Sequence, residues 1–455
     1  MPKVLVTGAC GYIGSHTLVE LLAAGHDPVS IDDNSRSSES ILDGVERITG
    51  KRVKNYRVDL RNAALTKAVF SENRDAVAVI HFAAYKTVPE SVAKPLLYYD
   101  NNINSLLNVL QCTDEFGIPS FIFSSSCSVY GNVGERPRTE DRRLKTEART
   151  PNSDVQSPTS KVHGLESSFR RSGKLPVTED TPFGEAECPY ARTKQMGEQI
   201  IQDFSKVSKT RFVSLRYFNP VGAHPSGEIG EVPYSEPDNL FPRITRTAAG
   251  NDERRTMNDE RRALLVVHGN DYNTRDGTCI RDYIHVSDIA RAHVLAIEYL
   301  RGTGDGGRGT GDEGQKAECR SPDTANCELE TGNSRRSRVG LGGSNPASMG
   351  PASNARAETL DPSIPRSLDP SRFEVFNLGS GVGTSVLEAI AAFERATGQK
   401  LNYRIGPRRP GDVEAIYANN EKAAAELGWQ PRFDIDEMMR TAWLWEQART
   451  GKGCG

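Results

Sequence analysis

Tyr190 and Lys194 are the residues of this sequence best placed to do chemistry, because side chains four apart share one face of a helix. Such a pair can make a base. A free phenol has a pKa of about 10, so turning it into a proton acceptor near neutral pH means lowering it by roughly three units, about 4 kcal/mol of preferential phenolate stabilisation. The Lys194 ammonium and a cationic nicotinamide ring beside the phenol would supply that together. A serine-rich strand end, Ser124-Ser125-Ser126, lies upstream and offers hydroxyls to the same centre. The combination points to a redox enzyme.

Such a centre needs a nucleotide site, and the N-terminus has the pattern of one. The apolar run Val4-Leu5-Val6-Thr7 enters Gly8-Ala9-Cys10-Gly11-Tyr12-Ile13-Gly14 and then a helical stretch from Ser15 to Ala24. Gly8 suits the tight turn, Gly11 the approach of backbone N–H groups to a pyrophosphate, and Gly14 close helix–strand packing. The phosphate would sit at the helix N-terminus. Asp32 ends the next apolar run, where a carboxylate can accept from both ribose hydroxyls of an adenosine, which favours NAD over NADP. Asp33 would repel a 2′-phosphate, although Arg36 nearby keeps NADP within reach.

Composition narrows the partners. A chain of 455 residues is long enough for a large core plus a second domain, and a net charge of −3 argues against nucleic acid. Small molecules are the expected partners. No apolar run is long enough to cross a bilayer, so no membrane association is expected. Met1-Pro2-Lys3 passes straight into a strand without a signal-peptide core, so a cytoplasmic location is expected. The eight cysteines have no C-x-x-C pair, which suggests neither zinc nor a disulfide framework, and no metal is expected.

Up to about Tyr217 short apolar runs alternate with helical stretches, predicting an α/β fold with a doubly wound parallel sheet of the Rossmann type. Strands are predicted at Val4–Thr7, Val29–Asp32, Asn55–Val58, Val77–Phe82, Phe121–Ser125 and Arg211–Arg216. Later strands are predicted at Leu264–His268, Phe373–Asn377 and Leu401–Tyr403, and helices at Val286–Leu300, Ser385–Thr397 and Asp436–Gln447. The expected division is a nucleotide domain over 1–216 and a smaller, partly interwoven α/β substrate domain over 217–450. Two stretches, 135–175 and 301–372, are too polar to offset the entropy of ordering them and read as disordered or looped-out insertions.

The motifs Thr7-Gly8-x-x-Gly11-x-x-Gly14, Ser124-Ser125-Ser126-Cys127-Ser128-Val129-Tyr130-Gly131, Tyr190-x-x-x-Lys194, Arg216-Tyr217-Phe218-Asn219-Pro220-Val221-Gly222-Ala223 and Arg281-Asp282-Tyr283-Ile284-His285-Val286 together resemble those of UDP-glucose 4-epimerases, in the extended short-chain dehydrogenase/reductase family. The likeness runs to about Trp445, interrupted by the two insertions and by an expansion around Asn251 to Arg262. The resemblance implies tightly held NAD, a UDP-sugar substrate, transient oxidation at sugar C4 and, commonly, a homodimer. It implies that Tyr190 takes the 4-hydroxyl proton while hydride leaves C4, that Ser126 bonds the same oxygen, and that Lys194 binds the nicotinamide ribose and tunes Tyr190. Tyr12, Ile13, Asp59, Leu60, Phe82, Ala83, Ala84, Lys86, Asn101, Ser124 and Phe218 would complete the NAD site. Asn219, Asn239 and Leu240 would hold the sugar nucleotide, Arg281 and Arg409 would clamp its diphosphate, and Asp412 would bind the uridine ribose.

Two positions separate neighbouring activities. Related 4,6-dehydratases carry an Asp-Glu pair after the catalytic hydroxyl; Cys127 and Ser128 stand there in this sequence and cannot do that acid–base work. Ile416 aligns with the position beside the sugar's 2-substituent and is intermediate in size, which favours plain hexoses and leaves UDP-N-acetylhexosamines open. A non-catalytic NAD-binding scaffold would have no need of the Ser-Tyr-Lys set.

Overall fold

Runs such as Val4-Leu5-Val6, buried on both faces, have the near-continuous apolar character that a covered parallel sheet requires. The computed structural model describes residues 1–133, 175–232, 239–250, 264–302, 372–409 and 412–451. Apart from a few end residues, both expected insertions lie outside the described residues, as does the expansion at Asn251 to Arg262.

The first half alternates strand and helix. β1 (Lys3–Thr7), α1 (Tyr12–Ala23), β2 (Asp27–Ile31), α2 (Ile41–Thr49), β3 (Asn55–Tyr56) and α3 (Ala63–Glu72) come first. β4 (Ala78–His81), α4 (Val88–Ala93), α5 (Pro95–Glu115), β5 (Ser120–Ser126), α6 (Pro189–Ser205) and β6 (Arg211–Tyr217) follow. After them come β7 (Asn219–Val221), α7 (Leu240–Ala248), β8 (Leu265–His268), β9 (Ile280–His285) and α8 (Val286–Gly302). The chain finishes with β10 (Phe373–Leu378), β11 (Gly383–Ser385), α9 (Val386–Thr397), β12 (Tyr403–Gly406), β13 (Ala415–Ile416), α10 (Glu421–Leu427) and α11 (Ile435–Thr450).

Seven strands form one parallel sheet in the order β10-β6-β5-β4-β1-β2-β3. Leu18, Leu21 and Leu22 of α1 share one apolar cluster with Ile289, Ala296 and Leu300 of α8. On the opposite face, Leu106, Val109 and Leu110 of α5 pack with Ile201 of α6 and Val69 and Phe70 of α3. The sheet is therefore covered twice. Strand order reverses between β4 and β2 around β1, and an open α/β sheet binds its ligand in the crevice outside the strand ends at such a point.

Two elements from beyond residue 217 belong to this first body: α8 covers its face, and β10 pairs with β6 over Phe373–Leu378. In the second sheet β9 is central, flanked by β11, β13 and β7. Helices α7, α9 and α11 pack over it and over the β8–β12 pair through Phe241, Ile244, Phe393, Met438 and Met439.

Local signals explain the helix limits. Ser385 and Glu388 form a reciprocal capping box on α9, and Gly398 closes it in a left-handed conformation. Asp434 caps α11, which therefore starts before the predicted Asp436 and runs on to Thr450, with Gly451 as its C-cap. The strand predicted at Leu401–Tyr403 instead occupies Tyr403–Gly406, because pairing with Leu265–His268 sets its register while its own residues are largely exposed. The prediction at Asn55–Val58 shortens to Asn55–Tyr56 for the same reason, since only those residues pair with β2.

Candidate active site

The glycine turn follows β1 directly. Gly8 has φ +70°, and a Cβ there would lie 2.7 Å from the Ala83 nitrogen, just past the end of β4. Gly14 packs as closely: an added Cβ would meet the Gly8 carbonyl oxygen at 2.5 Å and the Ala9 Cα at 2.7 Å. At Gly11, the residue capping α1, a Cβ would find within 4 Å only the Gly8 carbonyl oxygen at 3.1 Å. That opening at a helix N-terminus fits a pyrophosphate.

Asp32 is buried beyond β2, and its carboxylate accepts from Cys10 N at 3.0 Å, Asn34 N at 3.0 Å and Ser37 Oγ at 2.8 Å. Burial still raises its carboxyl above the ordinary range. The turn and the acid are thus bonded to one another, a link the sequence pattern leaves unstated. Asp33 is half-buried and accepts from Ser35 N. Arg36 turns away to a two-bonded ion pair with Glu90, which gives it a partner other than a 2′-phosphate.

The other predicted nucleotide residues are spread along the same edge. Phe82 packs on His293 at 4.7 Å, and Ala83 and Ala84 remain partly buried past β4. Tyr12 donates to the Gly222 carbonyl at 2.6 Å, and Ile13 packs against the core beneath α1. Lys86 pairs with Glu231 at 2.9 Å, and Asn101 donates to Asn102 Oδ1. Leu60 is buried, while the Asp59 carboxylate is taken up by Arg61. A groove of about 500 Å³ lined by Asp59, Arg61, Asn62, Asp100 and Asn108 shares no residue with the Ser126–Tyr190–Lys194 set.

The Ser126–Tyr190–Lys194 set is built by α6 lying against β5. Cys188 caps α6 by accepting from Ala191 N at 3.5 Å, and Pro189 occupies the first turn, where a missing N–H costs nothing. Gly197 allows the close approach, since a Cβ there would sit 2.6 Å from the Phe123 ring. Tyr190 is half-buried and hydrogen-bonds Ser126, whose Oγ also accepts from Ser128 N at 3.2 Å. Lys194 is buried: its ammonium donates to the Ser124 carbonyl at 2.5 Å and stands 5.9 Å from the Tyr190 ring centre.

The electrostatics of the chain alone lack the nicotinamide cation that the sequence-based expectation pairs with Lys194. Burial raises the Tyr190 phenol, the Ser126 bond works against that rise, and Cys127 and Cys188 add to it. Burial also lowers Lys194 to about 8. The chain by itself therefore does not make Tyr190 acidic; Lys194 bonds a carbonyl rather than the phenol. Cys127 is no acid–base substitute either, because burial pushes its thiol up to about 12.

On the substrate side, Asn219 donates to the Asp282 carbonyl at 2.9 Å, and the buried Asp282 carboxylate gathers Ser380 N, Gly381 N and Ala418 N. Arg281 donates to the Ile280 and Val413 carbonyls and lies 3.7 Å from Asp412, to which Arg409 donates at 3.0 Å. Arg281, Arg409 and Asp412 thus converge from two distant segments. Ile416 and Phe218 are buried together with Val129, Tyr130 and Ala418. Asn239, at the N-cap position of α7, is exposed and Leu240 beside it is partly buried.

Sequence reasoning passed over Glu198, one helical turn beyond Lys194, and its buried pairing with Arg216, the first residue of the Arg216–Ala223 motif. The signal was available: Glu198 repeats the Tyr190–Lys194 spacing once more. It also passed over the bond from Tyr217 to His293 at 2.6 Å, joining β6 to α8.

Residues 4–154 and 146–308 match the NAD dependent epimerase/dehydratase family. A UDP-glucose 4-epimerase of Arabidopsis thaliana is 36% identical over 97% of this chain and 94% of its own length. The UDP-glucose 4-epimerase of Bacillus subtilis is 35% identical over 98% of this chain and 97% of its own. The crystal structure of the Stenotrophomonas maltophila UDP-glucose-4-epimerase, with bound NAD and formylated UDP-arabinopyranose, covers all of both chains with a TM-score of 0.71 at 33% identity. That of the Bifidobacterium longum enzyme, in complex with NAD+ and UDP, gives 0.69 at 36% identity over 99% of this chain and 100% of its own. This chain belongs to the NAD dependent epimerase/dehydratase family and, within it, to the UDP-glucose 4-epimerases.

Proposed function

We propose that this protein is an NAD-dependent UDP-glucose 4-epimerase that interconverts UDP-galactose and UDP-glucose through transient oxidation at sugar C4. One observation carries the reading: Ser126, Tyr190 and buried Lys194 meet at the carboxyl edge of a parallel sheet whose first turn leaves room for a pyrophosphate. When bound, NAD supplies the acceptor and donor of an electron pair that makes C4 a ketone and restores it.

The chain's own work is proton transfer and positioning. Tyr190 takes the 4-hydroxyl proton and returns it, and the bond to Ser126 fixes the phenol at the oxygen both groups share. Lys194 holds its charge behind the phenol, oriented by the Ser124 carbonyl. Gly8, Gly11, Gly14 and Asp32 hold the dinucleotide. Arg281 and Arg409 bind the diphosphate and Asp412 the uridine ribose, while Asn219, Asn239 and Leu240 hold the sugar nucleotide. The division into nucleotide and substrate regions near residue 217, a cytosolic location and a homodimeric state belong to the same reading, the last resting on the family resemblance.

The test is to incubate purified protein with UDP-galactose and follow UDP-glucose by NMR without added oxidant. Tyr190→Phe should lose about 10²–10⁴-fold in turnover, the range general for such a base, while keeping NAD. Retained turnover in that variant removes Tyr190 as the base. A second reading, action on UDP-N-acetylhexosamines, rests on the intermediate size of Ile416 in the cluster beside Phe218. UDP-N-acetylgalactosamine in the same assay decides it.

A further inference from the structure

Behind Lys194 lies a charge arrangement that the proton chemistry above does not use. Glu198 stands one helical turn further along α6, with its side chain 2% exposed. Its carboxylate accepts from Ser125 Oγ at 2.5 Å, from Arg216 Nε at 3.0 Å and from Arg216 Nη2 at 2.7 Å. The Arg216 side chain is 6% exposed and also donates to the Tyr130 phenol at 2.9 Å and the Glu179 carbonyl at 3.1 Å. Tyr130 in turn donates to Asn377 Oδ1 at 2.6 Å, so the network fastens α6 to β5, β6 and β10.

A buried ion pair seldom stabilises a fold more than well-packed apolar residues of the same volume would. Its presence calls for some gain other than packing. The neighbour that gains is Lys194, whose charge must survive burial. Facing its ammonium are the Phe123 ring at 5.0 Å and the Ser124 carbonyl from β5, Tyr190 from its own helix, and His81 from β4, which burial keeps neutral. Glu198 is the acid whose charge opposes the loss of the Lys194 proton.

We propose that Glu198, clamped by Arg216 and Ser125, is a positioning residue for the epimerase reaction: its carboxylate keeps Lys194 charged, and Lys194 conveys that charge to Tyr190. The inference rests on the roles given above to Tyr190 and Lys194. Glu198→Gln removes the negative charge and leaves the Arg216 cation in place, and both changes favour neutral Lys194. Activity should then fall away at lower pH on the alkaline side, and in the NAD-loaded enzyme, where the nicotinamide cation would add to the Lys194 charge, Tyr190 should ionise at higher pH.

The test uses NAD-loaded enzyme and UDP-galactose, with kcat and KM measured across the pH range. In Glu198→Gln the alkaline limb of kcat should move down by about one pH unit, the shift general for one nearby opposite charge, with KM little changed. Glu198→Asp should restore most of it. Phenolate absorbance, taken as the difference between each protein and its Tyr190→Phe counterpart, should show Tyr190 titrating later in Glu198→Gln. Should that variant fold poorly, Glu198→Gln/Arg216→Gln removes both charges and should show the same two shifts at smaller size. A uniform loss of kcat with the limb and the phenolate titration unmoved overturns the proposal and leaves a purely structural network. Retained turnover in Tyr190→Phe would instead sink the underlying assignment, so the two failures are distinct.

Discussion

Gly8 and Gly50 both have φ +70°, yet they sit in different surroundings, so substituting alanine at each separates backbone strain from close approach. At Gly50, the C-cap of α2, an added Cβ meets nothing within 4 Å. Only the left-handed backbone penalty applies there, about 1–2 kcal/mol. At Gly8 the same Cβ would lie 2.7 Å from Ala83 N, 3.0 Å from Ala83 Cα and 3.1 Å from Phe82 C, all backbone atoms that no rotamer change can clear. The end of β4 must move away from β1, an overpacking cost of about 1–3 kcal/mol. Gly8→Ala should therefore destabilise by about 2–5 kcal/mol against about 1–2 for Gly50→Ala. Urea unfolding of the two variants and the parent measures the difference, and NAD retained through gel filtration shows whether the turn still holds the dinucleotide. Equal destabilisation in both variants, with NAD fully retained in Gly8→Ala, would refute the claim that this close approach shapes the cofactor site.

The acid side of stability follows from His16, His81 and His285, which burial lowers to about 3 from an ordinary value of 6.5. The unfolded chain binds those protons below about pH 6.5 and the folded chain does not, so stability falls as pH drops through that window, by up to about 1.4 kcal/mol per pH unit for each group. The Nε2 of His16 has no hydrogen-bond partner among the described residues, so His16→Gln should fold and show a shallower acid slope in its urea midpoint; a slope identical to the parent's would contradict this. Arg281→Lys keeps the charge but loses the planar fork, so KM for UDP-galactose should rise about 10–100-fold with kcat nearly constant. An unchanged KM would mean that Arg281 serves only the Ile280 and Val413 carbonyls it already bonds.

The parts of the site legible in the sequence are those whose geometry is local. Gly8 and Gly14 announce a turn because only glycine tolerates the backbone contacts found there, and Gly11 leaves the helix N-terminus between them open. Tyr190 and Lys194 announce a shared helix face because the helical repeat is fixed. Less legible was the electrostatic outcome. The sequence pattern pairs Lys194 with a cationic nicotinamide ring to make the phenol acidic; in the chain alone the helix packs so closely on β5 that burial dominates both groups and the ammonium turns to the Ser124 carbonyl. Strand limits shifted where pairing chose the register, as in β12.

From the chain alone came the alternating strands and helices, the glycine turn, the acid that follows it and the Tyr190–Lys194 pair, since each is written in residues a few positions apart. Tertiary structure decided which distant segments complete them. It placed β10 beside β6, bonded Asp32 to the Cys10 amide, brought Arg281 and Arg409 to Asp412, and put Arg216 behind Glu198. The reason is physical: a buried charge or a strand edge takes its partner from whatever element packs against it, and that element can lie anywhere along the chain.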